Sequence, residues 1–276
     1  MPLDLAPILR DDLFERLKTA VVTSATLATD SRFEFLASRL GVDQLEIPPV
    51  TASFASPFNY ATQSVIAIPT DTPAPNTDAP SHLAAVIRMI SDFADASDGG
   101  LFVLFTSHRD VRESALVLRA RGIEIARPLL VHGEESRDIL LERFRLSGRA
   151  VLIGTSSYWE GVDVPGHALR GLLIARLPFR VPTEPITAAN CEAISERGGD
   201  PFAEYMVPHA ALRLKQGFGR LIRTATDRGA VIIADPRVIT KNYGAELMRA
   251  LPPARRLMLP WAEIARQLRD FYGVSQ

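Results

Sequence analysis

One segment of this chain combines arginines with glycines in a pattern suited to binding phosphate. It spans residues 216–223 and reads QGFGRLIR. If the segment is helical, four side chains three or four residues apart share one face, namely Arg213, Gln216, Arg220 and Arg223. Guanidinium groups offer rigid forks of donors that match phosphate oxygens. Each glycine inside a helix costs about 1 kcal/mol relative to alanine, which suggests that a ligand or another backbone comes close. A solvated basic helix face is the alternative.

Hydroxyl, carboxylate and guanidinium side chains also follow apolar runs at four places. These places are residues 23–26, 106–108, 154–163 and 235–237. If each run is a parallel strand, the polar groups meet at one edge of a sheet, where open α/β sheets bind their ligands. Serine, threonine and aspartate are also common helix caps and turn formers, so each place taken alone has that simpler explanation.

Six apolar runs predict the strands of such a sheet. They are residues 20–23, 65–68, 101–105, 150–153, 169–175 and 230–234. Most are apolar at consecutive positions, which is typical of strands buried on both faces. Segments with helical periodicity lie between them, for example Leu83, Ile87 and Ile90. The alternation predicts an α/β fold with a mainly parallel sheet and helices on both faces.

Composition narrows the class of protein. The chain has 276 residues, of which 47% are hydrophobic and 23% charged, as in ordinary globular proteins. A formal net charge of -1 means that any nucleic-acid contact must come from a local basic face. Cys191 is the only cysteine, so a four-cysteine zinc or iron–sulfur site is excluded. With no signal peptide in view, we expect a reducing, intracellular setting. The histidines share no metal-ligand spacing, and we predict no metal site.

Four motifs, in order, resemble those of the DinG/XPD branch of superfamily 2 DNA helicases. Residues 23–27 (TSATL) resemble motif III, and residues 104–107 (LFTS) resemble motif IV. Residues 159–166 (WEGVDVPG) resemble motif V, and residues 216–223 match motif VI. The likeness runs from about Leu5 to about Pro253 and implies a RecA-like fold. We expect a junction segment with motif III at 1–50, a linker at 51–80, a second RecA-like domain at 81–253 and a C-terminal helix at 254–276.

The resemblance implies a role for each matching residue. Arg220 and Arg223 would face the γ-phosphate of ATP held by a partner domain, one of them as an arginine finger, and Gln216 would couple that site to the domain interface. The residues implied at the nucleotide are Glu160, Gly161, Asp163 and Gly219. The residues implied in DNA contact or coupling are Ser24, Thr26, Thr106, Ser107, Tyr158 and Trp159. For Tyr158 and Trp159, plain loop packing is the alternative.

Two motifs of the family do not occur in this sequence. There is no Gly-x-x-x-x-Gly-Lys-[Ser/Thr] loop to hold phosphates and no Asp-Glu-x-His box to hold Mg²⁺. Family members carry both in a first RecA-like domain, some with an iron–sulfur insert. We therefore expect ATP and Mg²⁺ to be bound mainly by an N-terminal domain that this chain lacks. Single-stranded DNA and that domain are the expected partners, and the expected location is the cytoplasm, at the nucleoid.

These observations predict the C-terminal motor half of an ATP-dependent DNA helicase, inactive by itself and of 5′-to-3′ polarity by family resemblance alone. A non-catalytic nucleic-acid-binding or regulatory module derived from such a motor is the second hypothesis. An unrelated α/β enzyme, such as a nucleotide-sugar transferase, is the third, although it has no need for the pattern at residues 216–223.

Overall fold

The computed structural model describes residues 4–24, 33–155, 158, 164 and 168–274. The chain divides into two compact units. The sheet unit consists of Pro57–Pro178, Gln216–Ala245 and Leu251–Gln276. The helical unit consists of Met1–Ser56, Phe179–Lys215 and Glu246–Ala250.

Seven strands form one sheet in the sheet unit, and every pair of neighbours is parallel. In chain order they are β1 (Ser64–Pro69), β2 (Leu101–Leu104), β3 (Leu129–Val131), β4 (Val151–Gly154), β5 (Gly171–Ile174), β6 (Gly229–Ile233) and β7 (Arg255–Leu259). Their order across the sheet is β3-β4-β2-β5-β6-β1-β7. All strands except β7 are buried at every position, as expected for parallel strands covered on both faces.

The helices begin and end at the following residues. They are α1 (Ala6–Asp12), α2 (Glu34–Leu40), α3 (Tyr60–Gln63), α4 (Ala79–Ala96), α5 (His108–Ala120), α6 (Ile123–Ala126), α7 (Arg137–Ser147), α8 (Pro185–Glu196), α9 (Val207–Phe218), α10 (Arg237–Thr240), α11 (Gly244–Arg249) and α12 (Trp261–Tyr272). No helix among the described residues is long and apolar enough to cross a membrane.

Helices cover both faces of the sheet. Leu101 and Val103 of β2 belong to a core cluster that includes buried side chains of α4, α5 and α12. Phe102 points to the opposite face, because side chains alternate along a strand. There its ring contacts that of Phe144 in α7, with centroids 6.4 Å apart. The predicted α/β class, with a mainly parallel sheet and helices on both faces, is therefore confirmed.

The helical unit has its own small core. Ile194, Tyr205 and Met206 are buried together, with Phe179 and Cys191 packed against them. Helix α2 ends at Gly41, which has φ 72° and donates its N–H to the last turn of the helix. A Cβ at this position would lie 2.3 Å from the carbonyl oxygen of Ala6, so glycine is required both by φ and by space.

The strand predictions were right for five runs and wrong for one. Residues 20–23 form no strand, and Val21 and Val22 are 81% and 49% exposed, so β-branched residues alone were misleading here. The sequence reading missed β3, which has only three residues. It also missed β7, an edge strand whose arginines face solvent and interrupt the apolar pattern.

The predicted segment boundaries also differ from the structure. The segment 51–80 was expected to be a linker, yet it contains β1, which pairs with both β6 and β7. The segment 254–276 contains β7 in addition to the expected helix α12. The predicted domain 81–253 includes Phe179–Lys215, which belongs to the helical unit. Proline-rich connections marked these boundaries in the sequence, but long-range strand pairing decides which residues fold together.

Candidate functional site

Polar residues follow β2, β4 and β6 at the carboxyl edge of the sheet. Thr106 and Ser107 follow β2, Thr155 follows β4, and Asp235 follows β6. These strands are parallel within one sheet, so three of the four predicted polar strand ends share an edge. The fourth prediction was wrong, because the residues before Ser24 form no strand and Ser24 belongs to the helical unit. Thr26 lies outside the described residues.

Ser107 caps the helix that follows β2. Its hydroxyl accepts a hydrogen bond from the N–H of Asp110 at 3.0 Å, which satisfies one free donor at the start of α5. The carboxylate of Asp110 lies 3.6 Å from a guanidinium nitrogen of Arg176. Thr106 is exposed beside the cap. The structure thus gives Ser107 a capping role, and contact of Thr106 and Ser107 with DNA stays a prediction.

Motif V lies mostly outside the described residues. This applies to Trp159, Glu160, Gly161 and Asp163, whose predicted roles stay predictions. Tyr158 is described and is fully buried. Its ring makes edge contacts with Phe102 and His132, at centroid distances of 5.9 and 4.8 Å. Tyr158 therefore packs among buried side chains in this structure, and its role near the DNA strand stays a prediction. Burial also raises the pKa of its phenol.

Asp235 is a buried carboxylate that pins the neighbouring loop. It is 0% exposed and accepts a hydrogen bond from the N–H of Leu177 at 2.9 Å. The guanidinium of Arg237 donates to both of its oxygens, with the shortest distance 2.6 Å. Hydrogen bonding to Asp235 raises the pKa of Arg237. These charges are thus paired with each other, which is the arrangement that makes a buried ion pair tolerable.

The helix of motif VI ends earlier than the sequence suggested. Helix α9 stops at Phe218, and the N–H groups of Arg220 and Leu221 donate to carbonyls three residues back, which closes a tight turn. The predicted common helical face for Arg213, Gln216, Arg220 and Arg223 is therefore wrong. Gly217 and Gly219 weaken the helix here, and the last helical residue, Phe218, is buried with its ring against that of Tyr60. Gln216 is exposed in the last turn.

The arginines of motif VI lie in a loop, residues 219–228, that we call the arginine loop. One carboxylate oxygen of Asp227 accepts hydrogen bonds from the N–H groups of Arg223 and Thr224, both at 2.8 Å. The amide nitrogen of Gln63 donates to the carbonyls of Thr224 and Asp227, at 2.9 and 3.0 Å. The side-chain oxygen Oε1 of Gln63 in turn accepts a hydrogen bond from the backbone N–H of Asn59 at 2.9 Å.

The hydrogen bonds of Asp227 and Gln63 clamp the arginine loop, and the sequence did not predict this clamp. Gln63 is 7% exposed, so the hydrogen bonds are shielded from water and hold the arginine loop in one conformation. An aspartate four residues after Arg223 was a signal for loop closure. No local signal points to Gln63, because it is 161 residues from Thr224 in the sequence.

The structure separates the predicted site residues into two groups. The arginine loop precedes β6, and Gln63 precedes β1, where Ser64 and Gly229 are paired. The arginines are therefore held at the amino edge of the sheet, whereas Thr106, Ser107 and Thr155 lie at the carboxyl edge. Strands of four to five residues at about 3.3 Å per residue place these edges about 15 Å apart.

Two histidines lie near the carboxyl edge. The rings of His108 and His132 are 4.7 Å apart, and Nδ1 of His132 lies 3.1 Å from the hydroxyl of Thr155. Burial, with a smaller effect of His108, lowers the pKa of His132. The described part of the chain contains no group of three or more His, Cys, Asp or Glu residues that could hold a metal ion.

Comparison with known proteins identifies the family. A family model described as "Helicase C-terminal domain" matches residues 90–254. The ATP-dependent DNA helicase YoaA of Escherichia coli is 38% identical over 268 residues, which cover 97% of this chain and 40% of that protein. A Bacillus subtilis protein named 3'-5' exonuclease DinG is 36% identical over 91% of this chain and 27% of its own length. The ATP-dependent helicase DinG of Mycobacterium tuberculosis is 37% identical, covering 91% and 37%.

Solved structures agree at the level of the fold. The structure of S. tokodaii Xpd4 superimposes with a TM-score of 0.52 at 16% identity, covering 72% of this chain and 39% of that chain. A structure titled XPD_Helicase gives a TM-score of 0.52 at 17% identity, covering 71% and 36%. The expected RecA-like fold is thus confirmed. The chain spans 27–40% of the length of the curated relatives named above.

Proposed function

Because this chain belongs to the helicase C-terminal domain family, of the DinG/XPD type, we propose that it is the second motor half of an ATP-dependent DNA helicase. In this role it completes an ATPase site formed with a P-loop domain and contributes contacts to single-stranded DNA. The observation that carries the proposal is the arginine loop, which presents the two arginines of motif VI on a backbone fixed by Asp227 and Gln63.

The chemistry of the loop fits the phosphates of ATP. Arg220 is half-buried and Arg223 is exposed, so the loop offers charged donors near the surface of the sheet unit. Guanidinium groups stay protonated and donate to phosphoryl oxygens, whose negative charge they stabilise in phosphoryl transfer. ATP supplies the phosphoryl group when it is bound. In this proposal Arg220 and Arg223 hold the γ-phosphate, with Gly219 and the residues of motif V beside it, and Gln216 links the site to the partner domain.

Mg²⁺ and the remaining phosphate contacts are assigned to the P-loop domain. The sequence has no P-loop motif, and the described residues offer no carboxylate cluster for the ion. We expect DNA to contact the carboxyl edge, through Thr106 and Ser107, with Ser24 and Thr26 in coupling. The 5′-to-3′ polarity follows the family resemblance and is read from unwinding of duplexes with a 5′ or a 3′ tail.

A chimera tests the proposal. This chain replaces the matching C-terminal region of Escherichia coli YoaA, and ATP hydrolysis is measured with Mg²⁺ and single-stranded DNA. We expect hydrolysis that is stimulated by DNA. Because one of Arg220 and Arg223 is the proposed arginine finger, either Arg220→Ala or Arg223→Ala should lower the rate of hydrolysis by about 10³-fold or more. The matched control is Arg266→Ala, because Arg266 is an exposed arginine on α12 that pairs with Glu263.

Two outcomes contradict this assignment. Hydrolysis of ATP by the isolated chain, lost in Arg220→Ala, would mean that no P-loop domain is required. Full activity of a chimera in which both Arg220 and Arg223 are replaced would mean that they do not face the nucleotide. An inactive chimera whose isolated chain still binds DNA in a salt-sensitive manner favours the second hypothesis, a non-catalytic nucleic-acid-binding module.

A further inference from the structure

Three arginines surround one histidine in the helical unit, and Arg39, Arg180 and His209 take no part in the proposed ATPase site. His209 lies in α9, one turn before Arg213. Arg39 comes from α2, and Arg180 precedes α8. The buried ring of Tyr205 lies beside His209, with ring centroids 4.5 Å apart. Residues from four different parts of the helical unit therefore converge on one position.

Arg39 contacts the histidine directly. One of its terminal nitrogens lies 3.4 Å from Nε2 of His209, and the other donates to the side-chain oxygen of Asn190 at 3.3 Å. Arginine has donors only, so Nε2 must accept and His209 is neutral, with its proton on Nδ1. Within the part of the chain that the structure describes, no carboxylate lies within ion-pair distance of Arg39.

Arg180 has donors that its neighbours do not satisfy. Its Nε is buried and has no hydrogen-bond partner among the described residues. A terminal nitrogen of Arg180 lies 3.8 Å from a carboxylate oxygen of Glu184. This distance exceeds the length of a charge-assisted hydrogen bond, which is about 2.7–2.9 Å. The guanidinium carbons of Arg39 and Arg180 lie 5.1 and 6.0 Å from the centre of the Tyr205 ring. One aromatic ring thus supports both cations.

Burial and the positive charges of the arginines both lower the pKa of His209. Burial has the largest effect and the charges of Arg180, Arg39 and Arg213 follow in that order; together they lower the pKa of His209 to about 4. An anion bound beside the imidazole would oppose the effect of the arginines and raise this pKa. The histidine is therefore a built-in reporter of an anion at this position.

We propose that Arg39, Arg180 and His209 form a binding site for a phosphate group, with Arg213 adding positive charge. A phosphate has enough acceptor oxygens to take terminal N–H donors of both Arg39 and Arg180 together, since the side chain of Arg180 is partly exposed. The proton on Nδ1 of His209 adds a neutral donor. The phosphate comes from the backbone of a DNA strand or from a free phosphate compound, since both present the same oxygens.

The site is independent of the proposed ATPase role. All of its residues belong to the helical unit, whereas the arginine loop belongs to the sheet unit. Arg220→Ala is therefore expected to leave the site intact. Loss of ATP hydrolysis in the chimera and loss of phosphate binding here are separate results.

The test follows the histidine by NMR. The full chain is labelled with ¹⁵N-histidine, the signal of His209 is assigned with His209→Gln, and its pKa is measured alone, with inorganic phosphate and with a thymidine oligonucleotide. We expect a bound phosphate to raise the pKa of His209 by about one unit. Arg39→Gln and Arg180→Gln should each weaken binding about tenfold or more, as expected for loss of a charge-assisted hydrogen bond.

Arg197→Gln is the matched control, because Arg197 is an exposed arginine of the same unit that pairs with Glu204. A response to both probes supports a general phosphate site, and a response to the oligonucleotide alone assigns it to the DNA backbone. An unchanged pKa of His209 in the wild-type chain with either probe overturns the proposal. That result needs no variant, so misfolding of a variant cannot hide it.

Discussion

Asp227 offers the sharpest test of how the arginine loop is held. One oxygen of its carboxylate accepts two backbone hydrogen bonds, from Arg223 and Thr224. Hydrogen bonds to a charged group contribute about 1.5–3 kcal/mol each. Asp227 is buried but the two donors belong to exposed residues, so water replaces part of the loss and the lower value applies. Asp227→Ala should therefore lower the free energy of unfolding by about 3 kcal/mol. Asp227→Asn keeps a neutral acceptor and should lose about 1 kcal/mol.

Urea unfolding followed by circular dichroism measures this change, with ATP hydrolysis by the chimera as the functional readout. The loop arginines should lose position before the fold is lost, so activity of the folded Asp227→Asn chimera should fall about tenfold. Asp270→Asn is the control, since Asp270 is an exposed aspartate on α12. If the free energy of unfolding of Asp227→Ala lies within about 0.5 kcal/mol of the wild-type value and the chimera keeps its activity, the hydrogen bonds of Asp227 do not hold the loop.

Three further predictions concern stability. Asp235→Ala should cost about 3–5 kcal/mol in urea unfolding, because it leaves the guanidinium of Arg237 without its buried partner and the N–H of Leu177 without an acceptor; a cost below that of an exposed aspartate would contradict this. Gly41→Ala should cost more than about 2 kcal/mol, since its φ is 72° and a Cβ would meet a carbonyl oxygen; a thermal melt like that of wild type would refute it. Because the pKa of His209 is lowered to about 4, the unfolded chain binds its proton first on acidification. The free energy of unfolding should then fall between about pH 6.5 and pH 4, and His209→Gln should flatten this slope.

The sheet was readable from the sequence because its strands are buried on both faces. Runs such as residues 101–105 and 230–234 have no polar position to confuse the pattern. The edge strand β7 was missed because only Leu257 of its five residues is fully buried. The run at residues 20–23 shows the limit of this reasoning, since the same apolar residues are exposed when no neighbouring strand pairs with them.

The motifs in the sequence pointed to the residues of the candidate site but did not predict their positions in the structure. The pattern at residues 216–223 pointed to the arginines, yet continuing the helical period through them was wrong, because α9 ends at Phe218 between two glycines that weaken it. Tyr158 had the residue type of a stacking platform and turned out to be a core residue. The glycines at 217 and 219 were a local signal for the end of the helix, whereas the burial of Tyr158 depends on residues distant in sequence such as Phe102 and His132.

The contacts that hold the site were the least predictable. Gln63 reaches the arginine loop across 161 residues of sequence, and Asp235 reaches Leu177 across 58. Such pairs depend on which strands become neighbours, which single-sequence patterns do not reveal. The same applies to the cluster around His209, whose members come from distant segments.

The two edges of the sheet have a mechanical consequence. Strand β1 begins directly after Gln63, and strand β6 begins directly after the arginine loop. The two strands are paired in parallel and buried in close packing, so they resist stretching and bending. If the arginine loop is displaced, the strands then move with it as rigid units about 15 Å long. Under the proposed function, a nucleotide that displaced the arginine loop would therefore be expected to move Thr106 and Ser107 at the opposite edge as well, because β6, β5 and β2 are paired in one sheet.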